Sequence, residues 1–387
     1  MKQGWELKKL GDACYSKSSN VSQNQLADEV GDYPIFGASG LIKNVSFYHR
    51  EKPYLSIVKD GSGFGRITKM DALTSVIGTL QYILPNDDID LDYLNYSLMS
   101  VDFRKYVQGA AIPHIYFKDY KNEPFLWMPL PEQQRIVAIL DEAFAAIAKA
   151  KTNAEQNLKN AKELFESYLQ GVFENKGEGW EETKLIECCE FKPSKKEARD
   201  KLKETDIVTF LPMEDLGVLN KEIVGIKERQ LKEVSGSYTY FAENDVLLAK
   251  ITHCFENGKI GIARNLGNGI GFGSSEYIVF RTKGNIKPEL LYYFLSRNQI
   301  REEGRKYMSG AVGHKRVSKD WIENYFIAFP KSLKEQQVIV QKLDALATET
   351  KKLETIYQQK LSDLEELKKS VLQKAFSGEL KTNAVTV

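Results

Sequence analysis

The chain contains one long segment twice. Residues 132–173 and 335–376 align without a gap at a shift of 203 positions, and 17 of the 42 aligned positions are identical by direct count. Both copies open with the same three residues, Glu132-Gln133-Gln134 and Glu335-Gln336-Gln337. A repeat of this length without an insertion indicates one structural unit that is used twice, and any fold for this chain has to accommodate it.

Both copies predict long helices, each roughly 60 Å long at ~1.5 Å per residue. Apolar residues recur at the a and d positions of a heptad, a pattern that one helix cannot bury alone. In the first copy these positions are Leu140, Ala143, Ile147, Ala150, Ala154, Asn157, Ala161, Leu164 and Tyr168. In the second copy they are Leu343, Leu346, Thr350, Leu353, Tyr357, Lys360, Leu364, Leu367 and Val371.

The two seams are complementary in size, because the first is rich in alanine and the second in leucine and tyrosine. We therefore expect the helices to pack on each other as a coiled coil, with Asn157 and Lys360 fixing the register. Ser332 with Glu335 predicts a capping box at the start of the second helix, Pro131 suits a first turn, and Gly378 suits an end. A dimerisation coiled coil or a plain bundle core would give the same pattern.

Length, charge and cysteine content limit the remaining possibilities. A chain of 387 residues typically holds two or three domains. It has no apolar run near the ~20 residues that span a bilayer and no leader at its start, which favours a cytoplasmic protein. The four cysteines show no zinc spacing, so we expect reduced thiols. The net charge of +1 means either that the chain does not bind nucleic acid or that its basic residues cluster on one face.

The segments that precede the helices also repeat. Gly4-Trp5-Glu6 returns as Gly179-Trp180-Glu181, and Gly109-Ala110 returns as Gly310-Ala311. The chain is therefore predicted to alternate globular region and helix. The expected parts are a first domain at 1–130, a first helix at 131–175, a second domain at 176–330, a second helix at 331–380 and a flexible tail at 381–387.

Apolar runs separated by turn residues predict mixed α/β structure in both globular regions. In the first region we expect strands at 33–37, 54–58, 75–78 and 81–84 and a helix at 91–106. In the second region we expect a charged helix or loop at 195–203, strands at 207–211, 245–251, 261–263 and 277–281, and a helix at 287–308. The predicted fold class is α+β, with two mixed α/β domains and two long helices.

A glycine-rich stretch at residues 61–65 follows a predicted strand in the first region. It lacks the GxGxxG spacing, and Arg66-Ile67-Thr68 continues as a strand, so a nucleotide site of the Rossmann type is not expected. A tight hairpin whose tip contacts a DNA backbone is the favoured interpretation. The candidate DNA-binding residues of this region are Lys43, Lys59, Ser62, Arg66, Lys69, His114, Tyr116 and Lys118.

A loop at residues 250–259 concentrates hydrogen-bond donors and acceptors in the second region. Asn257 and Lys259 could read base edges and phosphates, whereas His253, Cys254 and Glu256 lack a second ligand pair for a metal. Two histidines, one in each region, follow the shared Gly-Ala pair in basic loops. The candidate DNA-binding residues are Lys250, Thr252, His253, Asn257, Lys259, His314, Lys315, Arg316 and Lys319.

Motifs that carry catalysis are missing from the sequence. It has no glycine-rich phosphate loop that ends in Gly-Lys-Ser or Gly-Lys-Thr, and no Pro-Pro pair of the kind found in amino-methyltransferases. It also has no convincing pair of carboxylates with a lysine, as nucleases use. We therefore expect no catalytic residues and no metal in this chain.

The layout resembles a known family. The order of regions and helices, the Gly-Trp-Glu starts, Pro-Leu-Pro-Glu-Gln-Gln at 129–134 and Lys-Glu-Gln-Gln at 334–337 are similar to the DNA-specificity (S) subunit of type I restriction-modification systems. Residues 255–259 and 271–276 also resemble the target-recognition domains of that family. The first region has no counterpart of the Gly-Phe-Gly-Ser-Ser at 271–275.

The resemblance implies two target-recognition domains, each reading one half of a split DNA sequence, held apart by two antiparallel helices. It implies that methyltransferase (M) subunits dock on the helices and that a motor-nuclease (R) subunit joins later. S-adenosylmethionine would belong to the M subunits, ATP and magnesium to the R subunit, and no cofactor to this chain. The residues expected in the coiled coil or in partner docking are Gln133, Gln134, Leu140, Leu164, Gln336, Gln337, Leu343 and Leu367.

Two other classes of function remain open at this point. One is a stand-alone DNA-modifying enzyme, such as a fused methyltransferase or nuclease. The other is a coiled-coil scaffold without a role on DNA.

Overall fold

A computed structural model describes residues 4–109, 111–223, 227–311 and 313–379. The chain divides into two compact units: unit 1 contains Met1–Gln156 and Gln358–Val387, and unit 2 contains Asn157–Tyr357. Each unit therefore holds one globular region with the first part of one long helix and the last part of the other. The tail predicted at 381–387 lies outside the described residues. None of the described helices is both long and apolar enough to cross a membrane.

Unit 1 is built on short strands and short helices. Its strands are β1 (Glu6–Lys9), β2 (Cys14–Ser18), β3 (Tyr33–Gly37), β4 (Gly40–Val45), β5 (Tyr54–Val58), β6 (Ile67–Met70), β7 (Ser75–Val76), β8 (Leu80–Pro85) and β9 (Pro124–Trp127). Its helices are α1 (Leu10–Ala13), α2 (Leu91–Met99), α3 (Phe117–Tyr120) and the first part of α4 (Leu130–Glu174). Single 3₁₀ turns lie at Gln23–Leu26 and Phe103–Tyr106.

Unit 2 is built in the same way. Its strands are β10 (Trp180–Lys184), β11 (Cys189–Phe191), β12 (Ile207–Leu211), β13 (Lys227–Gln230), β14 (Thr239–Ala242), β15 (Val246–Ala249), β16 (Ile260–Ile262), β17 (Ile270–Gly273), β18 (Tyr277–Thr282), β19 (Met308–Ser309), β20 (Arg316–Val317) and β21 (Phe326–Pro330). Its helices are α5 (Leu185–Cys188), α6 (Lys196–Lys201), α7 (Leu231–Val234), α8 (Pro288–Ser296), α9 (Asn298–Lys306), α10 (Lys319–Glu323) and the first part of α11 (Leu333–Phe376).

The two globular regions share most of their sheet topology, although the second sheet has one more strand in unit 2. The antiparallel sheet β2-β8-β5-β6 of unit 1 corresponds to β11-β18-β15-β16 of unit 2, and the ladder β1-β9 corresponds to β10-β21. The second sheet is β4-β3-β7 in unit 1 and β13-β12-β17-β14 in unit 2, and each contains one parallel pair, β3 with β7 and β12 with β17. The repeat read from the sequence therefore extends to the order in which the strands pair.

In each unit the start of one long helix lies against the end of the other. In unit 1 the Lys151 ammonium is 2.7 Å from the Glu365 carboxylate, and the Lys368 ammonium lies 5.3 Å from the centre of the Phe144 ring. Because the partner number falls from 368 to 365 as the first rises from 144 to 151, the helices are antiparallel. The predicted cap at Ser332 is present, since its hydroxyl accepts the Glu335 N–H at 3.3 Å.

The predicted seam of α4 is correct at three positions and wrong at its end. Leu140, Ala154 and Ala161 are buried, but Leu164 and Tyr168 are 54% and 41% exposed. Their neighbours Phe165 and Leu169 point inward instead. A straight helix has 3.6 residues per turn and drifts by ~20° per heptad from a strict 3.5-residue repeat, so a heptad register extended over six turns reaches the wrong face.

The predicted seam of the second helix is also correct at some positions and wrong at others. Leu343 and Thr350 are buried as predicted, whereas Leu353 and Leu367 are 38% and 49% exposed. The predicted polar seam residues, Asn157 and Lys360, are exposed as well, so they do not fix the register from within the seam.

A glutamine amide fastens each long helix to its own globular region. In unit 1 the Gln133 carbonyl accepts the Asp90 N–H at 2.8 Å, and its amide donates to the carbonyls of Asp88 and Met128 at 2.9 and 2.7 Å. Gln133 is fully buried. These bonds join the helix start to the N-terminus of α2, which is the helix that covers β5 and β8.

Gln336 makes the equivalent bonds in unit 2. It accepts the Lys287 N–H and donates to the carbonyls of Asn285 and Pro330, all at 2.8 Å, and it is also fully buried. Lys287 is the residue before α8, just as Asp90 is the residue before α2. The predicted partner-docking role is therefore wrong for Gln133 and Gln336, because their amides are enclosed and fully engaged within their own units.

Two predicted helices are interrupted. The helix expected at 91–106 ends at Met99 and continues only as a 3₁₀ turn, and the one expected at 287–308 breaks at Arg297, whose ψ is 144°. The break is stabilised by two arginines: Arg297 donates to the Phe294 carbonyl at 3.1 Å, and Arg301 donates to the Ser296 carbonyl. These side chains satisfy the terminal carbonyls that a continuous helix would have bonded internally.

Candidate nucleic-acid interface

The glycine-rich stretch of unit 1 forms the tight turn between β5 and β6. The Gly65 N–H bonds the Val58 carbonyl at 2.8 Å, and the Val58 N–H bonds the Arg66 carbonyl at 2.9 Å. The Gly61 N–H donates to Pro113 O at 2.8 Å, and the Phe64 N–H is used inside the turn. The predicted hairpin is confirmed, and because these amides already have partners the stretch is not a phosphate cradle.

The hairpin tip is joined to a second basic segment. Ile115 N donates to Lys59 O at 2.9 Å, and Asp60 forms an antiparallel bridge with His114. The structure thereby brings Lys59, Ser62, Arg66, His114, Tyr116 and Lys118 to one end of unit 1. The His114 and Tyr116 rings lie 5.1 Å apart, and the Lys118 ammonium lies 5.2 Å from the centre of the Tyr116 ring.

Two other candidates of unit 1 are engaged elsewhere. The Lys43 ammonium donates to the carbonyls of Leu26 and Ala27 at 2.9 and 3.3 Å. Lys69 forms an ion pair with Asp92 at 2.6 Å. Both ammonium groups therefore stabilise the unit itself, which argues against the predicted phosphate contacts.

The loop at 250–259 in unit 2 takes the same place, between β15 and β16. Ile251 forms an antiparallel bridge with Arg316, and the Thr252 N–H and hydroxyl both donate to Lys315 O at 2.8 Å. His253, whose side chain is 81% exposed, has a φ of 64°. The loop and the segment that carries His314, Lys315 and Arg316 thus form one surface, and the sequence analysis names DNA-binding candidates in both.

Two candidates of this loop serve the fold instead. The Lys259 ammonium donates to Met213 O at 2.7 Å and Glu214 O at 3.3 Å, so the predicted contact of Lys259 with DNA phosphate is not supported. The Lys250 ammonium donates to Ser275 O at 2.9 Å.

The remaining candidates are more exposed. Asn257 is exposed, and only its backbone N–H makes a described bond, to His253 O at 2.9 Å. Lys319 lies on the surface and is 3.2 Å from Glu323.

The carboxylate in this surface is absent from the candidates that the sequence predicts. Glu276 accepts from Arg316 Nε at 2.9 Å and from Nη2 at 2.7 Å. The guanidinium holds the pKa of the Glu276 carboxyl below its usual range, and the carboxylate raises the pKa of Arg316. Such a two-point ion pair fixes the plane of the arginine as well as its position. The only available signal was the Ser-Ser-Glu turn after β17, which does not reveal a partner forty positions away.

No group of three or more His, Cys, Asp or Glu side chains that could hold a metal ion occurs within the described ranges. The helix candidates Leu140 and Leu343 are fully buried in the cores of their own units. Leu164 and Leu367 are about half exposed, Gln134 is exposed, and Gln337 is half-buried. These four side chains remain available to a partner.

Comparison by sequence finds a matching family model and related proteins. The family model for the type I restriction modification DNA specificity domain matches residues 2–158 and again residues 177–362. The type I restriction enzyme EcoAI specificity subunit of Escherichia coli is 36% identical over 168 residues, which are 42% of this chain and 27% of that protein. The EcoEI specificity subunit of the same organism is 35% identical over 169 residues, with the same shares. The match thus spans about a quarter of the length of these relatives.

Solved structures match over almost the whole chain. One, described as the structural basis underlying complex assembly and conformational transition of the type I R-M system, has a TM-score of 0.72 at 17% identity and covers 98% of this chain and 99% of its own. The crystal structure of the HsdS subunit from Thermoanaerobacter tengcongensis has a TM-score of 0.58 at 17% identity and covers 98% of each chain. These similarities confirm the predicted fold class.

Proposed function

Because this chain belongs to the family of type I restriction-modification DNA specificity domains, as the resemblance predicted, we propose that it reads a split DNA sequence. Each unit contacts one half-site through the hairpin loop after β5 or β15 and the segment bridged to it. The chain carries no catalytic step in this proposal. S-adenosylmethionine would be bound by methyltransferase subunits, and ATP and magnesium by a motor-nuclease subunit.

One observation carries the proposal. The same loop and bridged segment recur on the same sheet topology in both units, but the side chains they present differ. The loop of unit 1 is glycine-rich with Ser62 and Arg66, whereas that of unit 2 presents Thr252, His253 and Asn257. A common frame with unlike exposed donors is the arrangement that two unlike half-sites require.

The long helices supply the remaining parts of the function. They are 45 and 44 residues long, and we propose that they set the distance between the two readers, since half-site spacing in duplex DNA has to match reader separation. Their exposed apolar side chains would receive the methyltransferase subunits. These side chains are Leu164, Tyr168, Leu353, Ile356 and Leu367.

Footprinting tests the reading of a split site. The full chain is co-purified with the methyltransferase encoded beside it and bound to DNA that the complex methylates. We expect two short protected patches that flank an unprotected gap. Uniform protection, or none, would contradict the proposal and favour a scaffold. Methyl transfer by the chain alone would identify a stand-alone enzyme.

Shortening the helices tests their role as a spacer. Removing residues 153–156 and 358–361 together shortens each helix by ~6 Å, close to two base-pair steps of 3.4 Å. We expect the gap of the methylated motif to shorten by about two base pairs. The matched control replaces with alanine the seven of these eight residues that are not already alanine and keeps the length, so its gap should not change. An unchanged gap in the deletion variant would disprove the spacer.

A further inference from the structure

Arg316 occupies a defined position at the exposed end of unit 2. It bridges in antiparallel register to Ile251, in the loop that follows β15, and it pairs with Ser309 in the short ladder of β19 and β20. A nearby segment and one that is distant in sequence therefore fix the backbone of this residue. Its side chain is nevertheless 47% exposed.

His114 occupies the equivalent position in unit 1. It bridges in antiparallel register to Asp60, in the loop that follows β5, and it pairs with Gln108 on its other side. Because β5 and β15 hold the same place in their sheets, His114 and Arg316 are topological counterparts. The same position in the strand pairing of the two units thus presents a guanidinium in unit 2 and an imidazole in unit 1.

The guanidinium of Arg316 is held in a fixed plane. Its Nε and Nη2 donate to the two carboxylate oxygens of Glu276 at 2.9 and 2.7 Å, and its Nη1 donates to His314 O at 3.2 Å. These bonds use three of the five N–H donors of an arginine and leave one on each terminal nitrogen. Two parallel donors of this kind match the O6 and N7 acceptors of guanine in the major groove.

The charges around the pair also favour base reading over phosphate binding. Lys250 and His314 lie near Glu276 in addition to Arg316, so this carboxylate is the acidic member of a basic surface. A phosphate contact needs positive charge but no fixed plane, and a carboxylate beside it would repel the phosphate. A carboxylate that fixes the plane of an arginine is useful where the arginine donates to a base edge.

The imidazole of His114 presents a different chemistry. Its Nδ1 lies 3.1 Å from Ile112 O, and because a carbonyl only accepts, Nδ1 carries the hydrogen in this bond. In the tautomer with the hydrogen on Nδ1, Nε2 is an acceptor. An acceptor pairs with the amino group of adenine or cytosine and not with the O6 and N7 of guanine.

We propose, resting on the proposed function, that this shared position is the specificity-determining one of each unit. Arg316 reads a guanine in the half-site of unit 2, with Glu276 as its positioning residue. His114 reads an adenine or a cytosine in the other half-site, through the amino group in the major groove.

Methylome sequencing of cells that express the full chain with its methyltransferase tests this assignment. The wild-type motif should contain an invariant G·C pair in one half-site. Arg316→Ala should relax preference at that pair alone by roughly 5- to 140-fold, equivalent to ~1–3 kcal/mol, because one bidentate contact is lost. Glu276→Gln should weaken the same pair to a smaller degree. His114→Ala should relax one position in the other half-site.

Arg305→Ala is the matched control. Arg305 is also a surface arginine of unit 2 in an ion pair, 3.1 Å from Glu256, but it takes no part in the bridge between Ile251 and Arg316. It should leave the base preferences of the motif unchanged. Relaxation of the same G·C pair by this variant would overturn the assignment.

The outcomes separate the two proposals. A wild-type chain without a split motif defeats the proposed function itself. A split motif without a G·C pair sensitive to Arg316→Ala, or an even loss across all positions with a shallower salt dependence, overturns base reading and leaves a phosphate contact. Arg316→Lys keeps the charge without the two-point geometry, so wild-type discrimination by that variant would also overturn the assignment, even if the alanine variant does not fold.

Discussion

Replacing Gln336 with methionine is expected to loosen the attachment of α11 to the second globular region. Methionine has a similar length but neither donor nor acceptor, so the change removes the hydrogen bonds and keeps most of the volume. The amide makes three bonds of 2.8 Å, to the Lys287 N–H and to the carbonyls of Asn285 and Pro330. Because the site is fully buried, each of these backbone groups would lose its partner without gaining water.

The expected cost is large. An unsatisfied buried polar group costs ~1–3 kcal/mol, and three such groups with partial relaxation give about 3–5 kcal/mol in the free energy of unfolding of unit 2. A loss of this size is a substantial part of the ~5–15 kcal/mol that stabilises a typical domain. Gln133→Met should do the same to unit 1, because its three bonds are equivalent.

Hydrogen exchange measured by mass spectrometry is the suitable assay, since a chain with two units need not unfold in one step. Gln336→Met should accelerate exchange in α8 and at the start of α11 while α2 stays protected, and Gln133→Met should do the reverse. The matched control is Gln337→Met, one residue further along and half-buried, with an expected change within ~0.5 kcal/mol. Unchanged exchange in α8, or an equal loss from Gln337→Met, would refute this reasoning.

Three further outcomes are expected in unit 2. Lys259→Met should speed local hydrogen exchange without changing the salt dependence of DNA binding, because the Lys259 ammonium donates to backbone carbonyls. A shallower salt dependence in this variant would instead support a contact of Lys259 with DNA phosphate. Arg281→Met should cost ~3–5 kcal/mol in urea unfolding, since the buried carboxylate of Asp245, now 2.8 Å away, loses its cationic partner and keeps only the Ala242 N–H; an unchanged midpoint would contradict this. Arg316 lowers the folded-state pKa of Glu276, so their pair stabilises the fold above the ordinary value of 4.5, and that contribution is lost as the pH falls through the folded pKa. Melting curves should show that Glu276→Gln removes this acid dependence, and an identical pH profile would argue against it.

The repeat and the long helices could be predicted because their signals are local and long. A helix of more than forty residues offers many turns of apolar spacing, and the cap at Ser332 marks its start within four residues. The seam failed where small angular errors accumulate, as at Leu164 and Leu367. The bounds of short buried strands such as β5 are predicted correctly, because a run of apolar residues bounded by turn residues can be recognised without its pairing partners.

The candidate site could be predicted only in part, because its geometry depends on long-range pairing. The bridges from Asp60 to His114 and from Ile251 to Arg316 join segments more than fifty residues apart, and no local pattern announces them. For the same reason a basic residue at the surface cannot be told from one that donates to a distant carbonyl. The sequence therefore predicts a DNA contact for Lys43, although its ammonium donates to the carbonyls of Leu26 and Ala27.

The duplicated positions separate into two kinds, and the difference explains how one frame can serve two half-sites. Positions that hold the frame keep the same side chain in both copies, as Gln133 and Gln336 do, because a buried amide with three partners tolerates no other residue. Positions at the exposed bridge differ, as His114 and Arg316 do, because solvent places no such constraint on them. The hydrogen bonds of Gln133 and Gln336 lie at the starts of the long helices, whereas His114 and Arg316 pair with the loops that follow β5 and β15. A change in what is read therefore leaves the attachment of the helices untouched.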